Sequence, residues 1–284
     1  MSDAERKRVL VTVKAYPLPS RAYGELVCTA GFLEDGSWVR IYPVPYRFLR
    51  SNKYVAKYQW IELDLKRRSP KQDFRPESYR PLSSELADMT VGEKVGTGRQ
   101  RDWAARRDLC LRDVYTSRRK LVEDAYAERP VSLATFRPSA ILGLAVEEVE
   151  REWSETWQAQ LRELDLFTPA VQPGTEGKAL VPKLPYRFSY RFRDEDGAES
   201  KLMIEDWEIG ALYWNCLRDA EGDEVVAVAK VRQKYESLAA ERDVHLFLGT
   251  TLQYHRRKVL NPFVIVGVFY PPPPPPQLGL FGHT

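Results

Sequence analysis

The sequence predicts a mainly β fold of the α+β class, in which two strand-rich units carry helical insertions. Short runs that are β-branched, or that alternate between apolar and polar residues, recur along the chain. These runs do not alternate regularly with helical stretches, which favours small barrels over a doubly wound sheet. A chain of 284 residues, of which 43% are hydrophobic and 29% charged, is long enough for about two domains with cores.

The first unit is predicted to span residues 1–150. Residues 26–33 and 37–44 are expected to form a hairpin, because the Asp-Gly pair between them favours a tight turn. The alternation of apolar and polar residues over 58–67 predicts a half-buried strand. The other expected elements are a strand at 8–13, a long loop at 67–99, a helical insertion at about 101–128 and a strand at 140–150.

The second unit is predicted to span residues 151–270. Residues 186–193, YRFSYRFR, repeat every two positions, which predicts a strand with one aromatic face and one arginine face. The other expected elements are a helix at 152–166, a linker at 168–178, a strand at 201–207, helices at 207–218 and 223–239, and strands at 245–255 and 262–270. Residues 271–284 are expected to form a flexible proline-rich C-terminal tail.

The composition excludes several classes of protein. Three cysteines, odd in number and far apart, argue against a disulfide framework and favour a reducing cytoplasm; with three scattered histidines, they predict no metal site. The sequence has no apolar run long enough to span a membrane and no secretory signal at its start. Because the net charge is only +3, nucleic-acid binding has to come from local basic patches.

Arginines interleaved with aromatic residues mark the candidate nucleic-acid-binding surfaces. They come from residues 38–54, 99–120, 186–193 and 256–258. Aromatic rings stack on bases and guanidinium groups neutralise phosphates, so the pattern is typical of strands that bind nucleic acid. An alternative stays open, in which the aromatic rows belong to the core and the arginines are only solvated. The candidate residues are Arg40, Tyr42, Arg47, Arg106, Arg112, Arg187, Arg191, Arg256 and Arg257.

Catalytic signals are few. The sequence has no glycine-rich phosphate loop, no nucleophile elbow and no histidine cluster. One arrangement has ligands for Mg²⁺: Asp35, with Asp64 and Lys66 on an adjacent strand, offers two carboxylates and a lysine, as in a metal-dependent nuclease. We therefore expect a non-enzymatic protein without a cofactor, and keep a Mg²⁺-dependent nuclease acting on DNA as the alternative.

The tail combines six prolines with an apolar pentapeptide. The prolines predict a stiff polyproline II segment that holds the following residues away from the body. The pentapeptide at 277–281, QLGLF, resembles the bacterial sliding-clamp-binding motif, which reads Gln-Leu-x-Leu-Phe. The resemblance implies that Gln277 hydrogen-bonds at the rim of the clamp pocket, and that Leu278, Leu280 and Phe281 fill it.

Four longer stretches of sequence, all beginning before the tail, carry a second resemblance. They are KAYPLPSRAYGELVCTAGFLEDGSWVRIYPVPYRFL at 14–49, KLPYRFSYRF, MIEDWE and FLGTTLQYHRRKVLNPFVIVGVFYPP. Together they resemble an uncharacterised bacterial family described as a dual OB-containing domain, over most of residues 8–272. The resemblance implies two five-stranded OB-like barrels, which commonly bind single strands or oligonucleotides. It supplies no catalytic residues.

These observations lead to one leading hypothesis and two alternatives. The leading hypothesis is a cytoplasmic, non-enzymatic protein that binds nucleic acid, with single strands favoured, and that the tail tethers to the bacterial sliding clamp. Its expected setting is DNA repair, replication or defence. The alternatives are the Mg²⁺-dependent nuclease and a protein-interaction adaptor that binds no nucleic acid.

Overall fold

The computed structural model describes residues 4–20, 24–44, 54–83, 86–153 and 182–274. Most of the predicted helix at 152–166, the predicted linker, Arg47 and the pentapeptide at 277–281 lie outside these ranges. In chain order the elements are β1 (Ala4–Lys14), β2 (Leu18–Ser20), β3 (Gly24–Phe32), β4 (Trp38–Val44), β5 (Gln59–Arg67), β6 (Ser78–Pro81), β7 (Thr90–Lys94), α1 (Ala104–Cys110), β8 (Val114–Tyr115), α2 (Arg118–Ala125), β9 (Leu133–Phe136), β10 (Ala140–Glu148), β11 (Tyr186–Arg193), β12 (Glu199–Met203), α3 (Trp207–Asp219), α4 (Glu224–Glu241), β13 (His245–Thr250), α5 (Leu252–Arg256) and β14 (Phe263–Phe269). None of the helices in the described ranges is long and apolar enough to cross a membrane.

Five strands of the first half close into a barrel. Their order is β1-β3-β4-β6-β5, and β5 pairs again with β1. All neighbours are antiparallel except β4 and β6, which run parallel. Alternate side chains of these strands, with Val55, Leu86 and Met89 from the connections, form the apolar cluster of the interior: Val9, Val11, Val39, Ile41, Val44, Val55, Ile61, Leu63, Leu65, Leu86 and Met89. The mainly β character predicted from the sequence is confirmed.

The predicted hairpin is the one formed by β3 and β4. Its turn is closed by backbone bonds from Leu33 N to Ser37 O (2.9 Å) and from Gly36 N to Leu33 O (3.0 Å). Gly36 has a φ of 85°, a conformation that other residues adopt only with strain. The Asp35 carboxylate accepts hydrogen bonds from the Ser37 backbone N (2.8 Å) and hydroxyl (2.6 Å), which hold the pKa of Asp35 below its ordinary value.

Two elements of the first half differ from the prediction. The predicted long loop at 67–99 contains β6 and β7, and β6 is the strand that closes the ring between β4 and β5. These strands have only four and five residues, too few for a clear period-two pattern. The predicted helix at 101–128 is two short helices separated by β8, which pairs with β9. Ser117 Oγ caps the start of α2 by accepting from Lys120 N (3.2 Å).

The second half, residues 114–274, contains two sheets and most of the helical residues. One sheet has the order β10-β11-β12 and the other β14-β13-β9-β8, and a single bridge between Ile204 and Ile265 joins them. In the described ranges these pairings do not close into a ring, so the two-barrel arrangement stays a prediction. Strands β8, β9 and β10, which the sequence-based division assigns to the first unit, pair with strands of the second half.

The strict repeat of β11 has the predicted two faces. Phe188, Tyr190 and Phe192 are fully buried in the core of the second half, against the side chains of α3 and α4. Arg187 and Arg191 are exposed on the opposite face. The alternative in which this aromatic row is core is therefore confirmed, and these rings are not available to stack on bases.

Strands β13 and β14 join the two halves because both of their faces are buried. One face contributes Leu246 and Leu248 to the core of the second half. The other contributes Phe247 and Phe269 to an aromatic seam against the outer face of the barrel. The centroid of the Phe247 ring lies 5.9 Å from that of Phe32, 5.3 Å from that of Trp38 and 5.8 Å from that of Phe269.

A buried ion pair crosses the same junction. Lys57 Nζ of the barrel lies 2.8 and 2.7 Å from the two carboxylate oxygens of Asp206, and 3.1 Å from Glu208 Oε2. Asp206 also caps α3 by accepting from Glu208 N (3.2 Å). Burial raises the pKa of Asp206 to about 6, against the opposing pull of the Lys57 ammonium. The pair therefore ties the N-terminus of α3 to the barrel.

A second ionic contact holds the C-terminal end of the described residues against the body. Asp243 N donates to Pro271 O (3.0 Å), and the Asp243 carboxylate pairs with Arg107 Nη1 (3.1 Å) and Arg137 Nη2 (3.2 Å). Arg107 also donates from Nη2 to Pro272 O. The first two prolines of the tail are therefore fixed to the body.

The Phe247→Ala substitution is expected to lower the free energy of unfolding of the whole chain by about 3–5 kcal/mol, because it leaves a cavity between the halves. Denaturant unfolding followed by tryptophan fluorescence and by far-UV circular dichroism measures it, and both signals are expected to change together. Val225→Ala, at a position that is 80% exposed, is the control and is expected to cost less than ~0.5 kcal/mol. Two separate transitions, only one of them shifted, would contradict a shared core.

Candidate nucleic-acid interface

Arg40, a predicted nucleic-acid contact, is buried at the junction of the two halves. Its side chain lies on the outer face of β4, where the second half covers it, and it is only 4% exposed. Nη2 donates to both the backbone O and the Oγ of Ser132 (3.0 Å each). Glu77 lies 3.9 Å from the same Nη2. In this structure Arg40 therefore stabilises the junction and does not face solvent.

Arg106 and Arg112 hold α1 in place. The guanidinium of Arg106 is buried 4.0 Å from the ring centroid of Tyr58 and 4.8 Å from that of Trp103, and Nε donates to Val95 O (3.0 Å). This burial lowers the pKa of Arg106. Arg112 donates from Nε to Asp108 O (2.9 Å) and from Nη1 to Glu34 O (3.0 Å), so it links the end of α1 to the β3–β4 turn.

Arg187 and Arg191 are exposed on a face that carries charges of both signs. Arg187 lies opposite Glu147 in the β10–β11 register, and Glu147 pairs with Lys201 (2.8 Å). The hydrogen bond from Lys201, with the charges of Lys201 and Arg187, holds the pKa of Glu147 below its ordinary value. On the same face, Arg193 pairs with Glu199 (2.8 Å). Arg193 and Lys201 of this face therefore have acidic partners, whereas Arg187 and Arg191 form no salt bridge within the described ranges.

Tyr42 lies in a different environment, on the outer wall formed by β4, β6 and β5. Arg68 Nη2 donates to Tyr42 O (2.8 Å), and the Arg68 guanidinium lies 5.5 Å from the centroid of the Tyr42 ring. Lys66 of β5 lies opposite Arg80 of β6. Because Ile41 pairs with Tyr79 in the parallel β4–β6 register, Tyr42 is level with Arg80. A half-exposed aromatic ring therefore lies among several cations.

The loop between β5 and β6 extends this basic surface to the second half. Arg256 Nη2 donates to the backbone O of Gln72 (2.8 Å) and of Lys71 (3.3 Å). Arg257 and Lys258 follow on the same exposed tip. We call the combined surface the basic band; its members are Tyr42, Lys66, Arg68, Lys71, Arg80, Arg256, Arg257 and Lys258. Within the described part of the chain, none of its cations forms a salt bridge.

A buried polar network fixes the loop that carries the centre of the band. The Asp73 carboxylate accepts from Arg75 Nε (2.8 Å), Arg75 Nη2 (2.7 Å) and Ser78 Oγ (2.7 Å). Although burial opposes it, these bonds keep the pKa of Asp73 below its ordinary value. Arg75 Nη1 donates to Thr250 O (2.7 Å) at the end of β13. The loop is therefore bound to both halves.

A buried histidine supports the same loop. His255 of α5 contacts Phe74 edge to face, with ring centroids 4.8 Å apart. Its Nε2 donates to Ala125 O (2.6 Å), and its Nδ1 lies 3.1 Å from Thr250 Oγ1. Burial lowers the pKa of His255, so the ring is neutral near pH 7. The tip at 256–258 and the loop at 68–77 are therefore fixed relative to each other.

The three residues proposed for a nuclease do not form a metal cluster. Asp35 caps the β3–β4 turn, whereas Asp64 lies 3.6 Å from Arg6 Nη1 on the barrel wall. Lys66 belongs to the basic band. Across the described ranges, no group of three or more His, Cys, Asp or Glu residues is placed to hold a metal ion.

The sequence pointed to three members of the band as nucleic-acid contacts: Tyr42, Arg256 and Arg257. The sequence identifies Lys66 only as a catalytic lysine, and it does not identify Arg68, Lys71, Arg80 and Lys258 as a group. The signal for these residues is the high density of Lys and Arg in residues 66–80, which is equally typical of a solvated loop.

Two family models match the chain. Residues 5–112 match one described as Domain of unknown function (DUF8758), and residues 114–284 match one described as Domain of unknown function (DUF8757). No curated protein matches the chain. The two models meet just before β8, whereas the division predicted from the sequence lies at residue 150 and stays a prediction.

The Asp73→Ala substitution is expected to destabilise the protein by about 3–5 kcal/mol, because it leaves the buried Arg75 charge without its partner. The double variant Asp73→Ala/Arg75→Met is expected to recover part of this loss, since neither charge then remains buried. Chemical denaturation of the three proteins measures both effects. Equal losses in the single and double variants would show that the ion pair is not the cause.

Proposed function

Because the chain belongs to the family described as Domain of unknown function (DUF8757), we propose a function from its own residues: a non-enzymatic protein that binds nucleic acid through the basic band. In this proposal the C-terminal pentapeptide tethers the protein to the bacterial sliding clamp, in DNA repair, replication or defence. Cations of the band bind phosphates, and Tyr42 stacks on a base of a single strand.

The observation that carries the proposal is the absence of ion pairs on the band, within the described ranges. Elsewhere on the surface some exposed basic residues pair with acidic neighbours, as Arg151 does with Glu224 (2.6 Å), and others, such as Arg187, form no salt bridge within the described ranges. The band differs from these single cations because its cations are gathered around the half-exposed ring of Tyr42. Uncompensated cations repel one another, and a row of phosphates relieves that repulsion while releasing counterions. The Asp73–Arg75 network adds preorganisation, since the loop needs no further ordering when a ligand binds.

The topology of the barrel supports the same class of ligand. With β2 set aside, its strands follow the ring order 1-2-3-5-4, which we assign to an OB-type barrel. Such barrels usually bind oligonucleotides on the outer face of strands two and three. Here those strands are β3 and β4, and the aromatic seam covers β3 and the Trp38–Arg40 part of β4, which leaves Tyr42 half exposed. We therefore place the interface on the adjacent wall, and propose the two sheets of the second half as the second, modified OB-like unit.

The double variant Lys71→Ala/Arg257→Ala is expected to weaken binding to a single-stranded oligonucleotide and to reduce its salt dependence. On a single strand, the removal of one phosphate-binding cation lowers the slope of log affinity against log salt by about 0.7, so removing two is expected to lower it by about 1.4. Fluorescence anisotropy over a range of salt concentrations measures both quantities.

Arg119→Ala/Lys120→Ala is the matched control, because it removes the same charge from exposed cations of α2 that pair with Glu123 and Asp124. We expect it to leave the slope nearly unchanged. If the control variant and the band variant lower the affinity and the salt slope equally, the interface does not lie on the basic band. If the unmodified protein shows no salt-dependent binding, the adaptor alternative is favoured instead.

The tether is tested separately. In the full chain, Leu280→Ala and Phe281→Ala are each expected to weaken binding to purified sliding clamp ~30-fold, because each removes a side chain that would fill an apolar pocket, worth about 2 kcal/mol. Surface plasmon resonance with immobilised clamp measures this, with His283→Ala as the control outside the motif. Binding that is unaffected by both substitutions, or absent altogether, would rule out the pentapeptide as the tether.

A further inference from the structure

The tip between α5 and β14 carries an apolar side chain at the end of the basic band. Leu260 is 95% exposed, more than the other large hydrophobic residues in the described ranges. A single exposed leucine is common on protein surfaces and needs no explanation by itself. Whether the exposure of Leu260 indicates a binding role therefore depends on how its backbone is held and on which residues surround it.

Hydrogen bonds fix the backbone on both sides of Leu260. Before it, Val259 O accepts from the Tyr126 hydroxyl (2.6 Å), and Val259 N donates to Tyr254 O (3.3 Å). After it, Asn261 Oδ1 accepts from Phe263 N (3.1 Å). The backbone at Leu260 cannot turn inward without breaking these bonds. The side chain is thus presented to solvent at a fixed position, which lowers the entropy lost when it contacts a ligand.

The surroundings of Leu260 favour a polyanion over the apolar core of another protein. Arg257 and Lys258 precede it on the exposed tip and form no salt bridge within the described ranges. Arg256 binds the loop at 68–77 and so joins this tip to the rest of the band. An apolar protein partner would have to desolvate these cations without compensation, which is unfavourable. A nucleic acid supplies both phosphates for the cations and apolar base faces for the leucine.

The type of nucleic acid follows from which base faces are open. In a continuous duplex, neighbouring base pairs cover each face, and opening a step costs a few kcal/mol. At a junction between duplex and single strand, the terminal base pair has one face exposed to water. That face is flat, apolar and bordered by phosphates of both strands. A leucine held rigidly beside cations can cover it without unstacking anything.

We infer that Leu260 packs on the terminal base pair at a junction between double-stranded and single-stranded DNA, while the basic band holds the single strand that leaves it. This inference rests on the proposed nucleic-acid binding and narrows its substrate. It predicts that the full-length protein binds a duplex with a single-stranded overhang more tightly than it binds either the same duplex with paired ends or the single strand alone.

The Leu260→Ser substitution is expected to weaken binding to the overhang substrate about tenfold, the value of one buried leucine side chain. It is expected to leave binding to the single strand and the salt slope unchanged, because the leucine contacts no phosphate. Leu260→Met is expected to retain the preference. Fluorescence anisotropy gives the affinities, and 2-aminopurine in the terminal base pair reports contact with the leucine through a change in emission.

Two outcomes would overturn the inference and separate it from the wider proposal. If the unmodified protein binds the single strand with a steep salt dependence and Leu260→Ser binds the junction equally well, the leucine has no such role although the band binds nucleic acid. If the unmodified protein binds none of the three substrates, the proposed function fails, and this inference with it. Because Leu260 is exposed, neither substitution is expected to change the stability of the fold.

Discussion

Phe247 and Phe269 lie between the outer face of the barrel and the sheet of the second half, and the rest of the structure depends on this contact. They belong to one apolar cluster with Leu10, Phe32, Trp60 and Val266. Because this cluster is buried, the outer face of β3 and the Trp38–Arg40 part of the outer face of β4 are covered, whereas Tyr42, further along β4, stays half exposed. Arg40 is buried for the same reason. The position of the exposed basic surface, on the wall of β4, β6 and β5, is thus a consequence of how the halves pack.

The basic residues divide into two groups with different physical roles. Buried ones, such as Lys57 and Arg75, each have a carboxylate partner, as the cost of desolvating a charge requires. Arg106 is the exception, since two aromatic rings and a carbonyl replace the carboxylate. Cations of the basic band are exposed or half-buried, and none forms a salt bridge within the described ranges. A count of Lys and Arg therefore says little about binding until burial and pairing are known.

Several elements were predictable because their signals are local. The β3–β4 hairpin follows from the Asp-Gly turn, and β11 follows from its strict repeat. The continuous apolar runs of β13 and β14 reflect burial on both faces. By contrast, β6 pairs with strands far away in sequence, and its four residues carry almost no pattern of their own. The break between α1 and α2 depends on a strand pairing of β8 that local periodicity does not encode.

The site was less predictable than the fold. Tyr42, Arg256 and Arg257 were identified because aromatic and basic residues alternate near them, but nothing in the sequence indicates that the loop at 68–77 joins them. The same pattern selected Arg40 and Arg106, since a sequence does not distinguish a cation in a packed junction from one in water. Pairing is a long-range property, so the unpaired state of the band emerges only from the three-dimensional arrangement.

The contacts of Asp243 and Arg107 with the first two prolines have a mechanical consequence. A chain that leaves a protein from an unanchored end can swing through a wide range of directions. Here the carbonyl groups of Pro271 and Pro272 are bound, so the chain departs from one defined spot beside α1. Prolines have little rotational freedom, and each can add ~3 Å along the initial direction. A partner that binds the chain beyond these two prolines is therefore held on a restricted side of the body, because the tail starts in a fixed direction.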